Sequence, residues 1–168
     1  MDLILWRHAE AEPGEPDSDR VLTAKGHKQA HKMAAWIDHN LCHKQAHKMA
    51  AWIDHNLPNS CKILVSPTKR TVQTAEALGR KFKIIAELAP GADPRKLLAI
   101  VNWPHGREPV LMIGHQPALG CMAALLLTGL QQEWPIRKAG AWWIVQKERG
   151  ENATTHLKAV MTPDLVFK

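Results

Sequence analysis

The chain has 168 residues, of which 45% are hydrophobic, and it carries a formal net charge of +6. These values suit one domain with a buried core and argue against disorder, and no apolar run reaches the length of a membrane span. The charge favours acidic or phosphorylated partners, and plain solvation of the surface explains it equally well. Because no recognition-helix or RNA-binding pattern is present, it does not by itself indicate nucleic acid. Three cysteines without metal-ligand spacing, and no signal-peptide pattern before the first strand, predict a cytoplasmic protein with reduced thiols.

The first predicted strand, residues 3–6, is uniformly apolar and is followed directly by Arg7 and His8. A continuous apolar run predicts a strand that is buried on both faces. Ligands of open α/β sheets bind beyond the carboxyl ends of strands, where this pair falls. Arg7 offers a fork of donors that suits phosphate, and His8 is a nitrogen nucleophile or proton carrier near neutral pH. On this stretch alone, a surface Arg-His pair is an equally good interpretation.

A loop rich in Pro, Gly and acidic residues follows, and Thr23 is a predicted N-cap for a helix from about Ala24. Within this helix, residues 27–41 read HKQAHKMAAWIDHNL, and residues 43–57 repeat that string, so the 16-residue copies are 26–41 and 42–57. A shift of 16 residues turns a continuous helix by about 160° beyond whole turns. The two apolar stripes therefore cannot both face one core. The stripe of the first copy consists of Ala30, Met33, Ala34, Ile37 and Leu41.

Three arrangements of this duplicated segment remain open. In the first, one copy packs while the other loops out. In the second, the helix breaks near Cys42 and folds back. In the third, the intact helix carries the N-terminal strand into a second molecule as a domain swap. Because no turn residue marks the junction, we favour the intact helix and a swapped homodimer.

The remaining predicted elements alternate between strands and helices. The strands span residues 61–65, 82–86, 109–113, 141–147 and 154–161, and the helices span residues 68–81, 94–101 and 118–127. This alternation predicts a single α/β domain over residues 1–168, a three-layer αβα sandwich with a mostly parallel sheet. Arg70 lies near the N-terminus of its helix, where the helix dipole favours an anion, and His115 follows the strand at 109–113.

Right-handed crossovers bring the strand-to-helix junctions that carry Arg7-His8, Arg70 and His115 to one edge of the sheet. Two arginines and two histidines with few acids nearby describe a pocket for a phosphoryl group. One imidazole can attack phosphorus, while the other and the arginines neutralise the equatorial oxygens. No P-loop and no metal-binding carboxylate pair is evident, so the predicted chemistry needs neither a cofactor nor a metal.

Four motifs together resemble the histidine phosphatases, and most closely the SixA-type phosphohistidine phosphatases. They are residues 5–11 (LWRHAEA), 20–26 (RVLTAKG), 65–75 (VSPTKRTVQTA) and 113–117 (IGHQP). The resemblance extends over nearly the whole chain apart from the extra repeat.

The resemblance implies a histidine phosphatase-like fold with His8 as the nucleophile, which forms a phosphohistidine intermediate. It also implies that Arg7, Arg70 and His115 hold the phosphoryl group, with Arg20 as an accessory phosphate-side arginine. The family usually has Gly at the position of Ala9. Because the added methyl is small, we expect activity to survive.

Larger members of the superfamily use a carboxylic acid to protonate an alcohol leaving group. Glu87 and Asp93 are weak candidates for this acid, because both are better interpreted as surface residues. A phosphohistidine substrate needs less help, because its imidazole leaving group can be protonated beforehand. We therefore expect a phosphohistidine phosphatase that acts on a histidine-phosphorylated protein.

Two alternatives remain. One is a small-molecule phosphomonoesterase or mutase of the same superfamily. The other is a non-catalytic binding or assembly protein whose histidine pairs at i,i+4 spacing could bind metal, although no third ligand is evident. These pairs are His27/His31, His39/His43 and His43/His47.

Overall fold

The computed structural model describes residues 1–46, 61–149 and 152–166. The strands are β1 Asp2–Arg7, β2 Lys62–Val65, β3 Lys83–Ile84, β4 Val110–Gly114, β5 Ala141–Arg149 and β6 Asn152–Met161. The helices are α1 Ala24–Ala46, α2 Lys69–Glu76, α3 Pro94–Ile100 and α4 Ala118–Thr128, with short 3-10 helices at Asp17–Asp19 and Ala86–Leu88.

The described strands form one six-stranded sheet in the order β3-β2-β4-β1-β5-β6. The pairings of β3 with β2, β2 with β4 and β4 with β1 are parallel. The pairings of β1 with β5 and β5 with β6 are antiparallel, so the sheet is mixed. The predicted α/β class is confirmed. Strands β5 and β6 are antiparallel because they follow each other closely, without the crossover helix that parallel neighbours need.

Strand β1 lies inside the sheet between β4 and β5, which explains its uniformly apolar sequence. Ile4 and Trp6 belong to the core on one face of the sheet, and Leu3 and Leu5 belong to the core on the other. All four are 0% exposed. Helices α1 and α2 contribute to the first core, and α3 and α4 contribute to the second. The sheet is therefore the middle layer of three, and β1 and β4 lie at its centre.

Helix α1 runs without interruption through the junction between the two copies and is described as far as Ala46. The break near Cys42, one of the three open arrangements, is therefore absent. Ala30, Met33 and Ile37 are 0% exposed, so the first copy packs its apolar stripe on the sheet. The side chain of Leu41 and residues 47–57 lie outside the part of the chain that the structure describes. The predicted domain swap depends on this part. The swap stays a prediction.

Two residues at the start of α1 make contacts that require the sequence of the first copy. Thr23 Oγ1 accepts a hydrogen bond from the Gly26 backbone N–H at 2.8 Å, as the predicted N-cap should. A Cβ at position 26 would overlap the backbone carbonyl oxygen of Glu10. The equivalent positions of the second copy are His39 and Cys42, of which the first lacks a cap hydroxyl and the second carries a Cβ. The second copy therefore cannot replace the first at this contact.

Two predicted elements, the helix at residues 68–81 and the strand at residues 82–86, were too long. Helix α2 ends at Glu76 and not at residue 81, because the chain turns at Gly79, whose φ of +63° suits glycine. Strand β3 has only the two residues Lys83 and Ile84, and it lies at the edge of the sheet, where a strand pairs on one side.

Candidate active site

The carboxyl ends of β1, β2 and β4 meet at one edge of the sheet and bring the predicted site residues together. The His8 N–H donates to Gly114 O at 3.2 Å, and the Ser66 N–H donates to Ile113 O at 3.1 Å, which ties the three strand ends to each other. His8, Arg70 and His115 are 8%, 4% and 4% exposed, an unusual burial for titratable side chains. The edge that the sequence predicted is therefore where these side chains cluster.

The hydrogen bonding of His8 determines which of its ring nitrogens is available for chemistry. His8 Nδ1 lies 2.7 Å from the carbonyl oxygen of Ala9. Because a carbonyl can only accept, the proton must sit on Nδ1, and the lone pair is on Nε2. The pKa of His8 is lowered to about 4, chiefly by burial; the hydrogen bond to Ala9 raises it, and the charges of Arg70 and Arg7 lower it. The ring is therefore neutral near pH 7, with an unprotonated Nε2.

His115 is the second imidazole, and its ring centroid lies 5.2 Å from that of His8. Its Nδ1 is 3.4 Å from Nη2 of Arg70, which can only donate, so Nδ1 is the acceptor. Its Nε2 therefore carries the proton and donates to Ser66 Oγ at 2.7 Å. Burial lowers the pKa of His115 to about 3, with further lowering by His8 and Arg70. Ser66 had no functional role in the sequence analysis, since an isolated serine before a proline gives no such signal.

Arg7 and Arg70 each present a buried donor without a partner. Arg7 Nη1 donates to Ile136 O at 2.8 Å, and both terminal nitrogens of Arg70 donate to Asp17. In the described part of the chain, the buried side-chain polar atoms without a hydrogen-bond partner are the Nε atoms of these two arginines. A buried N–H left unpaired costs about 1–3 kcal/mol, and more in a charged group. Two such donors, on arginines whose charges act on His8, indicate a site that is built to receive an anion.

Arg20 reaches the cluster through Asp17. Its Nη1 is 3.0 Å from Asp17 Oδ1, while Asp17 Oδ2 is 2.8 Å from Nη2 of Arg70. Hydrogen bonds from Arg70 and then from Arg20 hold the pKa of the Asp17 carboxyl below its usual range. The sequence analysis placed Asp17 only in an acidic loop and assigned it no role, because a contact across 53 residues leaves no local pattern.

The two weak candidates for a proton donor lie on the surface. Asp93 is the N-cap of α3 and accepts from the Arg95 N–H at 2.9 Å, and Glu87 is exposed on the short 3-10 helix. Within the described ranges, neither carboxylate has a hydrogen bond to His8 or His115. The carboxylate that does reach the cluster is Asp17, and two guanidinium groups keep it ionised.

Ala9 fits the site without strain. Its methyl group is 0% exposed within the core under α1 and α2, and its N–H donates to Thr74 Oγ1 at 3.1 Å. Its φ is not positive, so the backbone here does not require the glycine that the resembling family usually has.

The described residues give no support to a metal centre. No group of three or more His, Cys, Asp or Glu side chains in residues 1–46, 61–149 and 152–166 could hold an ion. His27 and His31 lie on α1 in this part, whereas the side chains of His43 and His47 lie outside it. Across the same ranges, no helix combines the length and the apolar character that crossing a membrane requires.

The three-layer fold, with its buried His and Arg side chains at the ends of the central strands, is the fold of the histidine phosphatases. The protein histidine phosphatase SixA complexed with tungstate matches with a TM-score of 0.67 and 25% identity over 98% of each chain. A candidate phosphohistidine phosphatase SixA from Nakamurella multipartitia matches with a TM-score of 0.69 and 23% identity over 96% of this chain and 95% of that one.

A phosphoserine phosphatase variant from Entamoeba histolytica, in complex with phosphoserine, matches with a TM-score of 0.62 and 15% identity over 95% of each chain. No protein-family model and no curated protein sequence matches this chain. The structural neighbours therefore confirm the resemblance that the four motifs predicted, and they are phosphatases of the histidine phosphatase superfamily.

Proposed function

We propose that the protein is a phosphohistidine phosphatase that removes phosphate from a histidine-phosphorylated protein through a phosphohistidine intermediate on His8. The observation that carries the proposal is the pairing of a neutral imidazole, whose Nε2 is unprotonated, with two buried arginine Nε–H groups that lack a partner. A nucleophile beside unpaired cationic donors suits a group that is both electrophilic and dianionic, as a phosphoryl group is.

In the first step, the Nε2 lone pair of His8 attacks phosphorus, and the P–N bond to the substrate imidazole breaks. The substrate ring enters protonated on its other nitrogen, so it leaves as neutral imidazole and takes up no proton from the protein. The His8 ring becomes cationic, because it keeps its proton on Nδ1 and gains phosphorus on Nε2. Arg7 and Arg70 neutralise the equatorial oxygens, as does His115, whose pKa rises beside a dianion.

In the second step, water attacks phosphorus, and the P–N bond to His8 breaks. The two protons of the water remain on the released dihydrogen phosphate, and the bonding electrons return to Nε2. His8 is again neutral with its proton on Nδ1, which the carbonyl oxygen of Ala9 has held throughout. Neither step requires a metal ion.

In the part of the chain that the structure describes, the lack of a suitable acid favours a phosphohistidine over a phosphate ester. An alcohol leaves readily only if its oxygen is protonated as the P–O bond breaks, which requires a carboxylic acid or an equivalent donor. Asp17 is held ionised by Arg70 and Arg20, and Asp93 caps the N-terminal end of α3. An imidazole leaving group that is already protonated avoids this requirement.

The formal net charge of +6 favours a substrate carried on an acidic protein surface. Lys25 and Lys69 are exposed near the site, although each is paired with a carboxylate, Lys25 with Glu10 and Lys69 with Asp19. The free thiols of Cys61 and Cys121 support a cytoplasmic location for such a reaction.

A direct comparison of substrates tests the proposal. The full-length protein is incubated with a histidine-phosphorylated protein, with free phosphohistidine and with phosphoserine, and released phosphate is followed. We expect the phosphohistidine substrates to turn over at least about tenfold faster than the ester, because the ester lacks a protonated leaving group. A preference for phosphoserine would overturn the proposal in favour of the small-molecule phosphomonoesterase, which the phosphoserine phosphatase neighbour suggests.

A further inference from the structure

Asp17 occupies a position that the proposed mechanism does not use. It begins the short 3-10 helix Asp17–Asp19 in the loop between β1 and α1, and its side chain is 48% exposed. The side chain of Arg70 is 5% exposed. The loop thus places one carboxylate where the buried guanidinium of Arg70 comes closest to the surface.

The contacts of Asp17 fix the orientation of two arginines at once. Nη1 of Arg70 donates to the backbone carbonyl of Asp17, and Nη2 donates to Oδ2 at 2.8 Å. The other carboxylate oxygen accepts from Nη1 of Arg20 at 3.0 Å. Two bonds to the outer edge of the Arg70 guanidinium fix its plane and its rotation, and they leave the Nε–H as the buried donor without a partner.

Arg20 is held at a second point as well, because its Nε donates to the Glu12 backbone carbonyl at 2.6 Å. Asp17 therefore joins a nearly buried arginine to a more exposed one. A negative charge so close to an anion site has two opposing effects. It repels the anion directly, and it orders the cations that bind the anion.

We infer that Asp17 is a positioning residue that holds Arg70 and Arg20 ready for a tetrahedral oxyanion at the His8 site, and that this ordering outweighs its repulsion of the anion. The inference rests on the proposed phosphate site and extends it to a residue that touches neither the phosphoryl group nor His8. The inference predicts that removal of Asp17 weakens anion binding. Charge alone predicts the opposite, since removal of an acid beside an anion site would ordinarily strengthen binding.

The same 3-10 helix offers a matched control. The Oδ1 atom of Asp19 lies 3.6 Å from Nζ of Lys69, and both side chains are more than half exposed. Asp19→Asn removes the same charge from the same short helix without touching Arg70 or Arg20. Asp17→Asn removes one charge as well, but it also turns an amide N–H toward a guanidinium that can only donate.

The experiment titrates the full-length wild-type protein, Asp17→Asn and Asp19→Asn with tungstate in a calorimeter. We expect Asp17→Asn to weaken tungstate binding by about tenfold, the scale of one charge-assisted hydrogen bond, and Asp19→Asn to change it by less than about twofold. Unchanged or tighter binding by Asp17→Asn overturns the positioning role. If the wild type does not bind tungstate at all, the proposed phosphate site itself is wrong, so the two failures are distinguishable.

A measurement on the wild type keeps the inference testable if Asp17→Asn does not fold. Bonds to both terminal nitrogens slow rotation of the Arg70 guanidinium and should give separate Nη signals in a ¹⁵N NMR spectrum, assigned by their absence in Arg70→Lys. We expect these signals to stay separate when tungstate is added, because Arg70 keeps its two hydrogen bonds to Asp17. Collapse into one averaged signal on binding would show that the anion displaces Asp17, and it would overturn the inference.

Discussion

The imidazole rings of His8 and His115 lie 5.2 Å apart at an interplanar angle of 55°. Each ring is oriented by its own partner, His8 by the carbonyl of Ala9 and His115 by the hydroxyl of Ser66. Burial lowers the pKa of both rings in the same pocket, and His8 lowers the pKa of His115 further. The predictions below follow from this arrangement and from the packing of α1.

The first prediction concerns the nucleophile. We expect His8→Asn to abolish covalent labelling by a ³²P-phosphohistidine donor and to lower turnover by about 10³-fold or more, because the unprotonated nitrogen of the neighbouring imidazole, Nδ1 of His115, is the acceptor facing Arg70 Nη2. Labelling is measured after an acid-free quench, because phosphohistidine is labile in acid. Phosphate that remains bound to the His8→Asn protein would contradict this role.

The second prediction concerns pH and stability. The folded-state pKa values of His8 and His115, about 4 and about 3, lie below the ordinary value of 6.5. The unfolded chain therefore binds more protons than the folded one below pH 6.5. We expect the free energy of unfolding to be highest above pH 6.5 and to fall as the pH drops toward 4, by at most about 1.4 kcal/mol per pH unit for each histidine.

Urea unfolding between pH 7.5 and about 4.5 measures this slope, and the double variant His8→Asn/His115→Asn is the control. The pKa of Asp17 is also lowered, but its ordinary value of 3.8 places its loss of stability below this range. A wild-type stability that does not change between pH 7 and about 5 would show that the histidines are not held neutral by burial.

The third prediction concerns the hydroxyl that orients His115. Ser66→Ala removes the acceptor of the Nε2–H bond and leaves the weaker contact with Thr68 Oγ1 at 3.4 Å. We expect a loss of about 1–3 kcal/mol in the free energy of unfolding and a fall in turnover of about tenfold. Ser18→Ala, at an exposed serine, should leave both quantities unchanged. Equal behaviour of the two variants would exclude the orienting role of Ser66.

The fourth prediction reverses the usual effect of alanine in a helix. Gly→Ala within a helix normally stabilises by about 1 kcal/mol. We expect Gly26→Ala to destabilise the protein by about 2–4 kcal/mol, because its Cβ would overlap the Glu10 carbonyl oxygen and separate α1 from the segment after His8. Lys28→Ala, at an exposed position of α1, should change stability by less than about 0.5 kcal/mol. Stabilisation by Gly26→Ala in urea unfolding would refute this contact.

The fifth prediction concerns the duplicated segment. If the intact helix carries β1 into a second molecule, the full chain is a dimer in size-exclusion chromatography with light scattering. Deletion of residues 42–57 should then give an active monomer, since Thr23 and Gly26 of the first copy keep their contacts. A wild-type chain that stays monomeric at high concentration would rule out the swap.

The sequence by itself determined the α/β class and the place of the candidate site. Continuous apolar runs before Arg7 and His115 are typical of strands buried on both faces, and neighbouring parallel strands end at the same edge of the sheet. The apolar spacing in the first copy likewise indicated the face of α1 that contacts the sheet. These features are periodic or local, so a single chain displays them without its partners.

Only the tertiary structure decided how the site is held together. The bridge that Asp17 makes between Arg20 and Arg70, and the bond from His115 to Ser66, join residues that are far apart in the chain and have no spacing in common. The close fit of the first copy also depended on a steric contact, since position 26 has no room for a side chain only because the Glu10 carbonyl lies against it. Periodicity shows which face of an element is buried, whereas hydrogen bonds and close contacts depend on atomic positions that exist only once the chain has folded.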